Sequence, residues 1–159
     1  MESKHEERVP RFRPRLEGCV ARDRHFAALL GGCYTDAFAS VAGNIYRSLV
    51  VTGDSGLSEL YEWVAVEELE SFRTLGELIL ALGGDASGLQ SRRIRPWSSQ
   101  SDPCFLRVCY AECERNVDRY ETLMSRTGDR VVRSVMAKLL SSERRIMEKL
   151  MRIEQEKSC

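Results

Sequence analysis

The sequence predicts an all-α protein, a four-helix bundle in which two helical hairpins are joined by a long crossover. Three observations lead there. Apolar residues recur at three- and four-residue steps in four separate stretches, the spacing of one helix face. Short polar turns, TGDSG at 52 to 56 and Gly128-Asp129, separate the first stretch from the second and the third from the fourth. Between the second and third lie residues 83 to 101, GGDASGLQSRRIRPWSSQS, which show no apolar period; at roughly 3.3 Å per residue they reach the full length of a bundle of helices about 25 residues long.

A chain of 159 residues is one domain in length and buries a core without disulfides or a structural metal. Lys+Arg and Asp+Glu total 24 each, so no net charge marks a nucleic-acid partner or an anionic membrane. No apolar run approaches the roughly 20 residues of a membrane span, and MESKHEERVPRFRPR has no hydrophobic secretion core, so the expected location is cytoplasmic. Six cysteines without that context read as reduced thiols. With no Cys-x-x-Cys and only His5 and His25 as imidazoles, a zinc finger fails on spacing.

Residues 1 to 20 are predicted to form an extended basic arm, because Arg8, Arg11, Arg13 and Arg15 alternate with Pro10 and Pro14. The bundle is expected over 21 to 157. Its first helix spans about Ala21 to Val51, with Phe26, Leu29, Leu30, Cys33, Ala37, Val41, Asn44 and Ser48 on one stripe and Gly31-Gly32 as a point of weakness. Asp54 or Ser55 is placed to cap the second helix. That helix carries Leu57, Leu60, Val64, Leu75, Leu78 and Leu82 inward, and Glu68 and Ser71 share their face. Glu67 and Glu70 are rotated off it and read as surface charge. Gly83-Gly84 is suited to close the helix. Trp97 reads as an anchor packing the crossover onto the bundle.

Asp102-Pro103 is predicted to cap and start the third helix, whose stripe is Leu106, Cys109 or Tyr110, Cys113, Val117, Tyr120 and Met124. The fourth presents Val132, Val135, Leu139, Glu143, Ile146, Leu150 and Ile153. Two glutamates thus stand on apolar faces, where both cannot stay ionised without a proton, a cation or a hydroxyl reaching in. Asn44 and Tyr120 are the candidate partners. Cys33, Cys109 and Cys113 read as small core hydrophobes; the alternative is a soft third ligand or a redox pair, with Cys113 beside the two glutamates.

Residues 64 to 85, VAVEELESFRTLGELILALGGD, resemble the second bundle helix of the ferritin-like superfamily in its rubrerythrin, manganese-catalase and bacterioferritin-like branch. WSS at 97 to 99, AECERNVDRYE at 111 to 121 and LLSSERRIMEKL at 139 to 150 continue the resemblance in order, over about residues 25 to 153. It implies ferritin-like connectivity and a di-iron or di-manganese centre, with one Glu from each of two helices and Glu-x-x-His from each of the other two. Carried over by position, the glutamates are retained as Glu68 and Glu143, but their histidine positions hold Ser71 and Ile146. The first-helix glutamate falls on Ala37, with Asp36 one position off the face. The third-helix ligand falls on Cys113, or on Glu114 if the register slips by one.

The residual metal ligands expected are therefore Glu68, Glu143 and either Cys113 or Glu114, without a complete two-metal set and with no cofactor. The resemblance then implies a ferritin-like bundle in a non-catalytic structural or interaction role, as a homo-oligomer with an unidentified protein partner. The alternative is an iron or manganese oxidoreductase, or a peroxide- or iron-handling protein, with a rebuilt centre. A third reading is a helical adaptor whose resemblance is packing alone.

Overall fold

The computed structural model describes residues 16, 18–88 and 101–158. The arm expected over residues 1 to 20 lies largely outside the described residues, as do Trp97 and most of the crossover. Among the described residues are four helices, α1 (Arg24–Val50), α2 (Ser55–Ala81), α3 (Asp102–Arg126) and α4 (Arg130–Ser158), and no strand. The helices pack as two hairpins, α1 with α2 and α3 with α4, and α2 also meets α4. The result is the all-α four-helix bundle that the apolar period predicts.

Contacts at the helix ends set the direction of each element. The Asp23 amide donates to the Leu82 carbonyl at 3.0 Å, joining the start of α1 to the end of α2. At the opposite end the Asp102 carboxylate accepts from the Tyr61 hydroxyl at 3.1 Å and pairs with Arg47 at 3.6 Å. The third helix thus begins beside the α1–α2 turn, while α2 finishes a helix length away, so α2 and α3 run parallel. Twenty-seven helical residues rise about 40 Å. A connection over 83 to 101 reaches about 60 Å when extended, which covers that span.

Local chemistry explains the ends. Side chains of Asp23, Asp54 and Asp129 accept from the amides of Phe26, Leu57, and Val131 and Val132, capping α1, α2 and α4. Asp54 rather than Ser55 is the cap. Asp102 is not one: the cap of α3 is Ser101, without a side-chain bond, because Asp102 is drawn to Arg47 and Tyr61. Burial of the Arg47 guanidinium, stacked 4.7 Å from the Phe105 ring, demands that counter-charge. At the end of α2, Gly83 sits at φ +82°. Its amide reaches the Leu80 carbonyl and that of Gly84 the Ile79 carbonyl, the paired bonds of a glycine-closed helix. Gly31-Gly32 does not interrupt α1.

The core is divided. One apolar half gathers Leu30, Cys33, Ala37, Leu75, Leu78, Tyr120, Met136 and Leu139; the other gathers Leu60, Tyr61, Val64, Phe105, Cys109, Cys113, Ile146 and Leu150. Between them every helix contributes a polar residue: Ser40 and Asn44 from α1, Glu68 and Ser71 from α2, Asn116 from α3, Ser142 and Glu143 from α4. The predicted stripes hold with local differences. Leu29 is exposed and Arg47 buried on α1; Cys109 is buried on α3 and Tyr110 only partly so.

Candidate functional site

The polar layer is built by helical spacing. Glu68 stands one turn beyond Val64 on the inward face of α2, and Glu143 one turn beyond Leu139 on α4, so each carboxylate is carried into the core by its apolar neighbours. Glu68 is 2 % exposed and Glu143 1 %. Cys113, 3 % exposed, joins them from α3, and one ligand atom from each of the three lies within 4.8 Å of the others. Cys113 is the inward residue of its helix. Glu114, the alternative register, is exposed, since one helical step turns it about 100° away from the core.

Each carboxylate has one oxygen engaged by a neutral donor. Glu68 Oε1 accepts from the Ser40 hydroxyl at 3.1 Å, and Glu143 Oε1 from the Asn116 amide at 3.0 Å. The second oxygens, Glu68 Oε2 and Glu143 Oε2, are buried without a hydrogen-bond partner among the described residues. These partners differ from the predicted pair. Asn44 supports Ser40 instead, donating to its carbonyl at 2.9 Å and its hydroxyl at 3.3 Å. Tyr120 is buried in the neighbouring apolar half. A sequence signal for Asn116 exists in hindsight: Cys113-x-x-Asn116 repeats the three-residue step of Glu68-x-x-Ser71 and Glu143-x-x-Ile146, so all three pairs share the inward faces.

The electrostatics follow from burial. Desolvation and then the Glu143 charge push Glu68 well above the ordinary carboxylate range, against the Ser40 hydrogen bond. Desolvation pushes Glu143 up to about 7, with the Cys113 and Asn116 contacts pulling the other way. Burial and mutual repulsion therefore favour a shared proton on the pair when nothing else neutralises it. Burial, then Glu143 and Glu68, raise the Cys113 thiol, and burial raises Cys33 and Cys109. Nearby guanidiniums are turned to other carboxylates: Arg119 to Asp36, Arg145 to Glu67 at 2.8 Å, Arg144 to Glu121 at 2.7 Å.

Over the layer, between α2 and α4, lies a cleft of about 320 Å³ lined by Glu67, Glu70, Ser71, Lys138, Ser142 and Arg145 among others. Glu67 is half-buried here, not free surface charge; it accepts from Ser142 at 2.9 Å and from Arg145, tying α2 to α4. Ser71 is buried and lines this cleft one turn from Glu68.

A two-metal carboxylate centre does not fit these residues. The positions expected to hold imidazoles are Ser71 and Ile146, both buried, and the position expected for a terminal carboxylate is Ala37, inside the apolar core. Asp36 is held by Arg119, and His25 is exposed at the start of α1. Ser71 is a poor ligand and Ile146 and Ala37 are none, so the second metal lacks donors.

Fold and site together define an all-α bundle with a carboxylate pair and a thiol buried at mid-height. No family model, no curated protein and no solved structure matches the chain. Among the described residues no helix is long and apolar enough to cross a membrane.

Proposed function

We propose that this chain is a ferritin-like bundle that retains two buried carboxylates without two-metal chemistry, and that it serves a non-catalytic structural or interaction role. The observation that carries the reading is the composition of the buried cluster: Glu68, Glu143 and Cys113, with Ser71 and Ile146 where a di-metal site needs imidazoles. The parallel α2 and α3 support the ferritin-like part, because that connectivity requires a crossover along the bundle.

A contact between copies of this chain belongs to the proposal. Between Phe26 and Val50 the only charged residues are Asp36 and Arg47, and both are paired to α3. Along this stretch α1 exposes Phe38, Ile45 and Leu49, and α2 exposes Val66 and Leu69, apolar surface suited to a second copy. Sedimentation of the purified chain tests this; a monomer at every concentration rejects it.

The test of the main reading is metal analysis after anaerobic loading with ferrous or manganous ion, with peroxide consumption and iron oxidation assayed on the same samples. Fewer than two equivalents per chain and no turnover dependent on Glu68 or Glu143 are expected. Two bound equivalents, with turnover abolished by Glu68→Ala or Glu143→Ala, reject it in favour of a di-metal oxidoreductase.

A further inference from the structure

We propose that Glu68, Cys113 and Glu143 bind a single divalent cation of borderline softness, of the Zn²⁺ class, in a carboxylate-thiolate site distinct from a two-metal centre. The inference rests on the reading above that no second metal is held. Three donor atoms from three helices lie within 4.8 Å of one another, all buried. Independently, Glu68 Oε2 and Glu143 Oε2 are orphaned in the interior. A buried carboxylate oxygen without a donor is costly, and two of them close together call for a bridging proton or a cation.

The surroundings favour an ion over an accidental polar cluster. Ser40 and Asn116 each engage the Oε1 atom, which orients the carboxylate and leaves Oε2 to ligate, the role outer-shell hydrogen bonds play around bound metals. Both partners are neutral, so neither supplies the positive charge that two carboxylates demand. The donor set then selects the ion. Mg²⁺ and Ca²⁺ favour shells made of oxygen alone, which the Cys113 sulfur among the three donors does not suit. Two carboxylates and one thiolate, with water as the fourth ligand, match the tetrahedral preference of Zn²⁺. Donors on one Zn²⁺ sit about 2.0 to 2.3 Å from it, so the three side chains have to draw together by roughly 1 Å.

Exclusion of a second ion is also built in. Ile146, wholly buried, and Ala37, 2 % exposed, fill with hydrocarbon the places where further ligands would stand. The cleft between α2 and α4 is lined by Ser71, one turn from Glu68, and at its mouth Glu67 pairs with Arg145 and Glu70 with Lys138.

The experiment uses the full-length chain, reduced and stripped with chelator, titrated with Co²⁺ as the spectroscopic probe. Expected are one equivalent per chain, a thiolate-to-cobalt charge-transfer band, and displacement by Zn²⁺. Cys113→Ser removes the band, Cys109→Ser keeps it, and Glu68→Gln weakens binding by more than about tenfold, with helical circular dichroism unchanged throughout. X-ray absorption of the wild-type Zn²⁺ complex, showing one sulfur among its ligands, gives a readout independent of any variant's folding. No saturable uptake, a cobalt complex without the thiolate band, a band that survives in Cys113→Ser, or a zinc shell without sulfur each overturns the single-ion site and leaves the non-catalytic reading standing. Two equivalents per chain overturn that reading as well.

Discussion

Glu68 of α2 and Glu143 of α4 meet inside the bundle with one oxygen each bonded to a neutral donor, Ser40 or Asn116, and the other oxygen of each buried without a hydrogen-bond partner among the described residues. Such a pair is a strained arrangement unless a proton or a cation lies between the carboxylates. It stands at mid-height, where the apolar core is interrupted on all four helices, so its protonation is coupled to the packing of both hairpins.

In chelator-treated protein, stability contributed by the pair falls as pH rises. Glu143 moves from the ordinary 4.5 up to about 7 on folding, so across that interval the folded state keeps a proton the unfolded chain has lost. The contribution is fully present below about 4.5 and lost as pH passes through about 7. Glu68, raised by burial and by Glu143, extends the loss to higher pH. Urea unfolding at about pH 5 and about pH 8 should show a steeper decline for the wild type than for Glu143→Gln. Parallel declines would mean that the pair is not protonated in the folded state.

Asn116→Ala withdraws the amide donor hydrogen-bonded to Glu143 Oε1. Leaving that oxygen buried and unmatched is expected to cost about 1 to 3 kcal/mol in urea unfolding at neutral pH. A cost near zero would indicate that water already reaches the carboxylate.

Thiol labelling followed by mass spectrometry separates the cysteines. Cys19 and Cys104 are exposed, and Cys33, Cys109 and Cys113 are buried. Cys104 is expected to react first, because hydrogen bonding from Ser101 lowers its pKa and enlarges its thiolate fraction. The three buried thiols should stay unlabelled until the chain unfolds; rapid native labelling of Cys113 would show that the polar layer is open to reagent.

Two glycine substitutions of opposite sign test the α1–α2 packing. A Cβ on Gly84 would lie 2.7 Å from the Ala27 Cβ, so Gly84→Ala is expected to destabilise by about 1 to 3 kcal/mol through overpacking. Around Gly32 no neighbouring atom of the described residues lies within 4 Å of an added Cβ, and Gly32→Ala should stabilise α1 by about 0.5 to 1 kcal/mol through helix propensity. Thermal melts of both variants decide; the same sign for both would refute the close approach at Gly84.

Much of the site was legible because a helix carries residues three and four apart to one side, so a glutamate among leucines is seen as buried from its spacing alone. Glu68 and Glu143 were found that way, and Cys113 was found with Glu114 as its alternative. The register of α3 stayed open because charged residues flank Cys113 on both sides, at Glu112 and Glu114, and only packing shows which residue turns inward. Ser40 and Asn116 were missed, since a serine or asparagine in a helix is as common on the surface as in a core, and nothing local names its partner. Asp102 failed as a cap for the converse reason: its local pattern is correct, but the buried charge of Arg47, distant in sequence, competes for it more strongly.

By itself the sequence determined the four helices, their turns, the inward faces and the need for a crossover, because these rest on periods and turn chemistry confined to short stretches of chain. Tertiary structure decided what those faces meet. It set Glu68 against Glu143, joined Cys113 to them, bonded one oxygen of each carboxylate and left the other bare. Those outcomes depend on the rotation and height of one helix relative to another, quantities that no periodicity within a single helix contains.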